Sequence, residues 1–267
     1  MIKVYCVFVF VMLTSLMLLG EVDTNKVFFN SKINNKFNIG DSRYSSFSIS
    51  KSTVSSRYYP AFGVSIPLMR INVLNHNVDF IINALNYNDM KMGIGGFTLY
   101  TTEYHVNGNL QISITNNLAI SLGKGHTSHH LLDDAIIEEK MTPNNFVKDF
   151  YNAYLIYYNQ KYKSSIYGGY SYIFHYLVDK NIGAKGNLIL GFNINYLSKK
   201  HYDLYLASDL KFKEEHDFKS SVNIQTGIAI NKKIRFAVNY YNGYSENGQY
   251  FGKYINEFFF GTYIDAF

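Results

Sequence analysis

The sequence predicts an all-β fold, a transmembrane antiparallel β-barrel of about 12 strands over residues 59–267. Segments of about ten residues with alternating apolar and polar side chains follow one another through this region, as barrel strands do. The chain has 25 Tyr and 21 Phe, residue types that favour pleated sheets and suit the two interfaces of a membrane. A soluble β-sandwich has the same period of two, but the regular alternation of tight turns with longer polar links favours the barrel.

The start of the chain has the pattern of a secretory signal peptide, predicted at residues 1–20. Its apolar run from Val4 to Leu19 is shorter than the roughly 20 residues of a membrane-spanning helix. An uncleaved N-terminal anchor is the alternative interpretation. Cys6, the only cysteine, lies inside this run, so the exported chain is expected to lack disulfides. Export combined with a barrel pattern predicts the bacterial outer membrane as the location.

Residues 21–58 are polar and rich in Asn, Ser and Lys, and are predicted to form an N-terminal arm with one short strand over residues 44–50. The barrel is expected to begin at residue 59. Its strands are expected near residues 61–71, 77–87, 95–106, 108–115, 118–126, 148–159, 162–175, 186–197, 200–212, 219–230, 233–244 and 255–266.

The alternation is clearest near residues 186–197, where Leu188 and Leu190 alternate with Asn187 and Asn193. The polar set is expected to fill a narrow lumen, so a small solute pore is the least favoured function. The net charge is only +5, with acids and bases scattered, so no nucleic-acid partner is expected.

The candidate site lies where the strand that begins at Leu118 runs into a cluster of ionisable side chains. His126 and Ser128 stand two residues apart and therefore share one face of an extended strand, which is also the face of Leu122. Asn152 is expected on the same apolar face of the next strand. A serine, a histidine and an amide on a lipid-facing surface are the parts of an acyl hydrolase, with Ser128 as nucleophile, His126 as general base and Asn152 holding the imidazole tautomer.

Two other interpretations of this cluster remain open. Histidine and serine at a strand end are often interface or loop residues, which would make the cluster structural. The cluster could instead hold a metal, and Asp133 and Asp134 with loop carbonyls would suit calcium, which prefers oxygen ligands.

The His126-x-Ser128 element, the pair Tyr151-Asn152 and the aromatic end of the chain up to Phe267 together resemble the bacterial outer-membrane phospholipase A family. The resemblance implies a calcium-dependent esterase that acts on membrane phospholipids as a homodimer. In that family Asn-Gly follows the serine, whereas this chain has His129-His130.

The local motif is more similar to an uncharacterised family of predicted outer-membrane barrels with the signature His-x-Ser-Ser-His-Leu-Gly-Asp-Glu. The residues that match it are His126, Ser128, His130, Leu131 and Asp133. This second resemblance implies the barrel but no activity. A lipid acyl hydrolase and a non-enzymatic surface barrel are therefore both compatible with the sequence.

Overall fold

The computed structural model describes residues 23–28, 38–93, 96–178 and 185–265. The predicted signal peptide, residues 1–20, and the terminal Phe267 lie outside the described residues. The strands are β1 (Asp23–Phe28), β2 (Phe47–Ser52), β3 (Arg57–Val73), β4 (His76–Gly93), β5 (Gly96–Ser113), β6 (Leu118–Leu131), β7 (Phe146–Asn159), β8 (Ser164–Val178), β9 (Gly186–Ser198), β10 (Tyr202–Lys213), β11 (Ser220–Ile230), β12 (Ile234–Tyr244) and β13 (Tyr254–Ile264). One short helix, α1 (Asp133–Glu139), follows β6. None of the helices in the described ranges has the length and hydropathy needed to cross a membrane.

Strands β2 to β13 form a closed antiparallel barrel of twelve strands. Each pairs with the next along the chain, and β13 pairs with β2, which closes the sheet. The segment β1 occupies the same position as β2, because it pairs with the far end of β3, at Met69–Asn72, where β2 does not reach. The predicted fold class is confirmed.

The predicted strand boundaries contained two errors that cancelled in the count of twelve. Residues 95–106 and 108–115 were expected to be separate strands, but they form the single strand β5. Gly108 lies within β5 without interrupting its pairing with β4 or β6. The first barrel strand, Phe47–Ser52, lies inside the predicted polar arm, since its alternating serines face inward and gave it a polar composition.

The two ends of the barrel differ in the length of their connections. At one end the links between strands, such as those after Val73 and Ile230, contain two to four residues. Four of the six links at the other end are longer, and the longest, between Leu131 and Phe146, carries α1. Short turns at one end and longer loops at the other are typical of outer-membrane barrels. We call these the short-turn end and the loop end.

Residues 38–46, here called the strap, cross the lumen. Arg43 donates through Nε and Nη2 to both carboxylate oxygens of Glu103 on β5, each at 2.9 Å. On the opposite wall Asp41 accepts a hydrogen bond from Lys211 of β10 at 2.7 Å. The backbone of Gly40 lies so close to Ser208 that a Cβ would come within 2.6 Å of it. The strap therefore joins two walls of the barrel and divides the lumen into cavities of about 410 and 230 Å³.

The loop between β12 and β13, residues 245–253, folds over the loop end. Tyr250 donates to Asp89 of β4 at 2.8 Å, and Asn247 donates to Thr101 of β5 at 2.6 Å. Gly248 packs against Phe146, whose ring a Cβ would approach to 2.1 Å, so a larger residue would displace the loop. The strap and this loop together obstruct the lumen that a solute pore would need.

The strap leads to a prediction about ion conductance. Replacing Arg43 by Met together with Glu103 by Gln removes both charges of the link to β5 and leaves no unpaired buried charge. In planar bilayers we expect current steps to be more frequent in this double variant than in the unaltered protein. Lys51→Ala, on the exposed outer surface, is the control. Large steady conductance in the unaltered protein would contradict the obstruction.

Candidate functional site

The structure places His126 and Ser128 on the outer surface of β6, in phase with Leu122. Residues of the opposite phase, such as Ser121 and Thr127, face the lumen and are buried. This is the placement that the alternation of the strand predicts. Both site residues lie toward the loop end, because β6 runs from Leu118 at a tight turn to Leu131.

The neighbouring strand supplies a partner for His126 that the sequence reasoning missed. Asp149 of β7 lies directly opposite His126, and its Oδ1 is 2.7 Å from His126 Nδ1. The Asp149 side chain is 27% exposed and that of His126 is 49% exposed, so the pair lies on the outer surface. Since an ionised carboxylate can only accept, Nδ1 carries the proton and Nε2 of His126 is left as the basic nitrogen.

The predicted placement of Asn152 on this face is wrong. Asn152 is 7% exposed and faces the lumen opposite Gly123, where a Cβ would come within 2.6 Å of its Oδ1. The prediction fails because both faces of β7 carry aromatic residues, which hides the alternation of the strand. The polar members Lys148 and Asn152 share one phase, and this was the signal that the phase faces inward.

A second histidine, His175 of β8, contacts the other oxygen of Asp149. His175 Nδ1 lies 2.8 Å from Asp149 Oδ2, and this histidine is 60% exposed. The pairing of β7 with β8 shifts register just here, so that Asp149 pairs with His175 while Phe150 pairs with Ile173. Such a bulge re-aims side chains, and bulges are common beside functional sites. The sequence reasoning assigned no role to His175.

Ser128 is flanked by Tyr104 of β5 and Val147 of β7. Its hydroxyl makes no hydrogen bond to His126 or to any other residue in the described part of the chain. It follows His126 by two positions on the same strand face, so the two side chains are neighbours along the strand.

The side chains of His126, Ser128, Asp149 and His175, here called the outer row, have apolar and exposed surroundings. Tyr104, Val106, Tyr151 and Leu177 all present large apolar surfaces to the outside. Lys124, two residues before His126, lies with its Nζ 5.1 Å from the centre of the Phe174 ring. The site is a small polar group within an apolar belt.

His129, next to Ser128 in sequence, belongs to the lumen. Its Nδ1 accepts the backbone N–H of Gly248 at 3.0 Å, and its Nε2 therefore carries the proton and donates to Thr127 Oγ1 at 3.0 Å. Gln249 donates to its carbonyl at 2.8 Å. His129 thus anchors the loop at the barrel mouth and takes no part in the outer row. His130 returns to the outer surface, where its ring packs edge-on against Tyr104.

The acids predicted to bind calcium do not fit that role. Asp133 and Asp134 are adjacent in the first turn of α1, so their side chains diverge by about 100° around the helix. Asp134 already accepts the backbone N–H of Leu99 at 3.0 Å. Calcium takes six to eight converging oxygen ligands.

The cluster whose ligand atoms do converge within the described residues is Glu103, His105 and His129. Both oxygens of Glu103 are engaged by Arg43, and both ring nitrogens of His129 have hydrogen-bond partners. A cation here would have to displace a guanidinium that is already in place. Neither set of residues therefore fits the calcium that the phospholipase resemblance implies.

Comparison with solved structures supports the barrel architecture. A crystal structure of the outer membrane phospholipase of Salmonella typhi, a dimer with bound calcium, matches with a TM-score of 0.55. The match covers 84% of this chain and 91% of that chain at 12% sequence identity. At this identity the likeness shows the fold alone. The predicted similarity in architecture is confirmed.

A search of curated proteins finds no match to the chain. The family model described as "Protein of unknown function (DUF1207)" matches residues 34–264. This range includes the strap, all twelve barrel strands and the outer row of the site. The prediction of an uncharacterised family is confirmed, and the chain belongs to the DUF1207 family.

Proposed function

We propose that this protein is an outer-membrane acyl hydrolase that cleaves ester bonds of membrane phospholipids. Ser128 is the nucleophile, His126 the general base, and Asp149 the residue that orients His126. The observation that carries the proposal is the 2.7 Å contact between His126 Nδ1 and Asp149 Oδ1, on the same outer surface as Ser128. A serine, a histidine and a carboxylate in these roles form a recurring arrangement on unrelated folds.

The proton path follows from the tautomer. With Nδ1–H donated to Asp149, Nε2 of His126 takes the Ser128 hydroxyl proton while Oγ attacks the ester carbonyl. His126 then returns that proton to the departing alcohol, leaving an acyl group on Ser128. A water molecule, deprotonated by the same Nε2, attacks the acyl-enzyme; the bond to Ser128 Oγ breaks, His126 returns the proton to Oγ, and a fatty acid is released. The carboxylate of Asp149 stabilises the imidazolium that forms in each half of the cycle.

In the proposed reaction the Ser128 side chain rotates to bring its Oγ to Nε2 of His126, while Nδ1 stays on Asp149. Residues two apart on one strand are separated by about 6.6 Å along its axis, which the length of an imidazole side chain can bridge. Catalytic hydrogen bonds are often long or poorly aligned without substrate and tighten when it binds. The missing contact in this structure is therefore compatible with the role.

The apolar surroundings favour a lipid substrate. A soluble ester would have to reach a polar group that exposed side chains such as Tyr104, Val106 and Leu177 surround. In a membrane these same side chains contact acyl chains, and the row near the loop end meets the ester region of a phospholipid. The outer-membrane location, which the fold favours, brings such lipids to the site.

The phospholipase of similar fold was crystallised as a dimer with bound calcium. For this chain we assign no step to calcium, because Asp133 and Asp134 diverge and Glu103 of the converging cluster is already engaged by Arg43. Chemical cross-linking of the purified protein in detergent tests the homodimer. A solute pore is disfavoured by the strap and the loop 245–253, and a non-enzymatic surface barrel is the outcome if the experiments below fail.

Replacing Ser128 by Ala removes the nucleophile and is expected to lower fatty-acid release by about 10⁴-fold or more. The measurement is release of labelled fatty acid from phospholipid in mixed micelles. Ser121→Ala on the same strand is the matched control, since Ser121 is buried on the lumen side. Equal release by Ser128→Ala and the unaltered protein would refute the proposed function.

Asp149 and Asn152 provide a second comparison, because only one of them contacts His126. We expect Asp149→Ala and Asp149→Asn each to lower kcat by about 10³-fold or more, because an amide can present its NH2 to Nδ1 and select the tautomer in which Nε2 is no longer basic. Asn152→Ala should leave kcat unchanged, as its side chain lies in the lumen. The reverse result, activity lost in Asn152→Ala and kept in Asp149→Ala, would contradict the assignment of Asp149 as the residue that orients His126.

A further inference from the structure

We propose that His175 is a positioning residue that fixes the carboxylate of Asp149 for His126. The catalytic effect of this positioning rests on the proposed function. The contacts of the two histidines with Asp149 do not depend on it. The two histidines take one oxygen of Asp149 each, His126 at Oδ1 and His175 at Oδ2, at 2.7 and 2.8 Å. The three side chains lie side by side on β6, β7 and β8.

A carboxylate held at one oxygen alone can rotate about its side-chain bonds. Rotation of Asp149 would turn Oδ1 away from His126 and release the imidazole from the tautomer that keeps Nε2 basic. A donor on Oδ2 fixes the plane of the carboxylate. Because Asp149 is less exposed than either histidine, the two rings also shield it from both sides.

The backbone is built to place His175 there. In an unbroken ladder the residue after Ile173 would pair with Asp149, but the register shift leaves Phe174 over and brings His175 opposite Asp149. Phe174, the extra residue of this bulge, packs against the neighbouring strand. Its ring stacks on Tyr151 of β7 at a centroid distance of 4.5 Å, which holds the bulge against the neighbouring strand.

A metal site made from the same three residues is not favoured by the geometry. Both histidines direct Nδ1 at the carboxylate, so the carboxylate occupies the position between them that a cation would need. Among the described residues, the row is absent from the clusters whose ligand atoms converge. Each contact is that of a donor with an acceptor.

The variants His175→Ala and His175→Gln test the proposal. The Gln side chain retains an N–H that can donate to Asp149 Oδ2, whereas Ala has no donor. The control is His201→Ala, an exposed histidine in a tight turn at the opposite end of the barrel. Folding of each variant is checked by the change in gel mobility between heated and unheated samples.

The deciding readout is the 15N spectrum of His126 in histidine-labelled full-length protein in detergent micelles. We expect His126 to be predominantly Nδ1-protonated in the unaltered protein and in His201→Ala. In His175→Ala this preference should weaken, and in His175→Gln it should be restored. An unchanged His126 spectrum in a folded His175→Ala variant overturns the proposal.

The kinetic readout separates this inference from the proposed function. If Ser128-dependent hydrolysis is present, we expect His175→Ala to lower kcat by roughly tenfold at unchanged KM, with recovery in His175→Gln. An unchanged kcat would overturn the positioning role and leave the hydrolase proposal intact. If Ser128→Ala shows no dependence of hydrolysis on Ser128, the hydrolase proposal fails, while the His126 spectrum still decides whether His175 holds the carboxylate.

Discussion

The register of β6, β7 and β8 is the constraint on which the rest of the site depends. In a closed antiparallel sheet, residues directly opposite one another point to the same side, and a slip of one residue reverses the side. The pairing of His126 with Asp149, and of Asp149 with His175, therefore sets all three on the outer surface together. A slip of one position in β7 would place Lys148 or Phe150 opposite His126 and remove the carboxylate from the row.

The same register directs the residues of the opposite phase into the lumen. His129, one residue after Ser128, points inward and anchors the loop 245–253 through Gly248. Partial burial of Glu246 in that loop would by itself raise its pKa, but Lys211 and Lys213 hold the pKa well below its usual range. Charged side chains of the inner face thus form ion pairs with the loop, and these pairs hold the loop over the barrel mouth. Adjacent residues of one motif have separate roles, because successive side chains of a strand point to opposite faces.

The sequence carried the fold and half of the candidate site. Alternation within single strands was sufficient to place His126 and Ser128 on one outer face, since their neighbours Leu118, Ile120 and Leu122 share that phase. It could not place Asp149. The link between Leu131 and Phe146 is long, so no turn geometry fixes how β7 pairs with β6, and both faces of β7 carry aromatic residues.

The contact of His175 with Asp149 could not be predicted from the sequence for a different reason. A bulge changes the phase partway along a strand, and strict alternation from Ser164 carried through Phe174 gives the wrong partner for Asp149. The strap was missed because its links are made by few side chains to distant strands. Arg43 and Glu103 are 60 positions apart, and nothing local in a polar segment indicates such a contact.

The free-energy cost of placing the polar side chains of the outer row on a lipid-facing surface is relevant to their function. On the lipid face of a barrel, Lys or Arg costs about 2–4 kcal/mol at the middle of the membrane and about 0–1 kcal/mol near its edges, and acids cost less. Satisfying both oxygens of Asp149 lowers that cost further, and the row lies toward the loop end, where it is smallest. The barrel does not need these side chains for closure, because the backbone ladder continues through the same residues. Polar groups placed where they stabilise little, and arranged so that one imidazole nitrogen stays basic beside a serine, are what the proposed hydrolysis at the membrane surface requires.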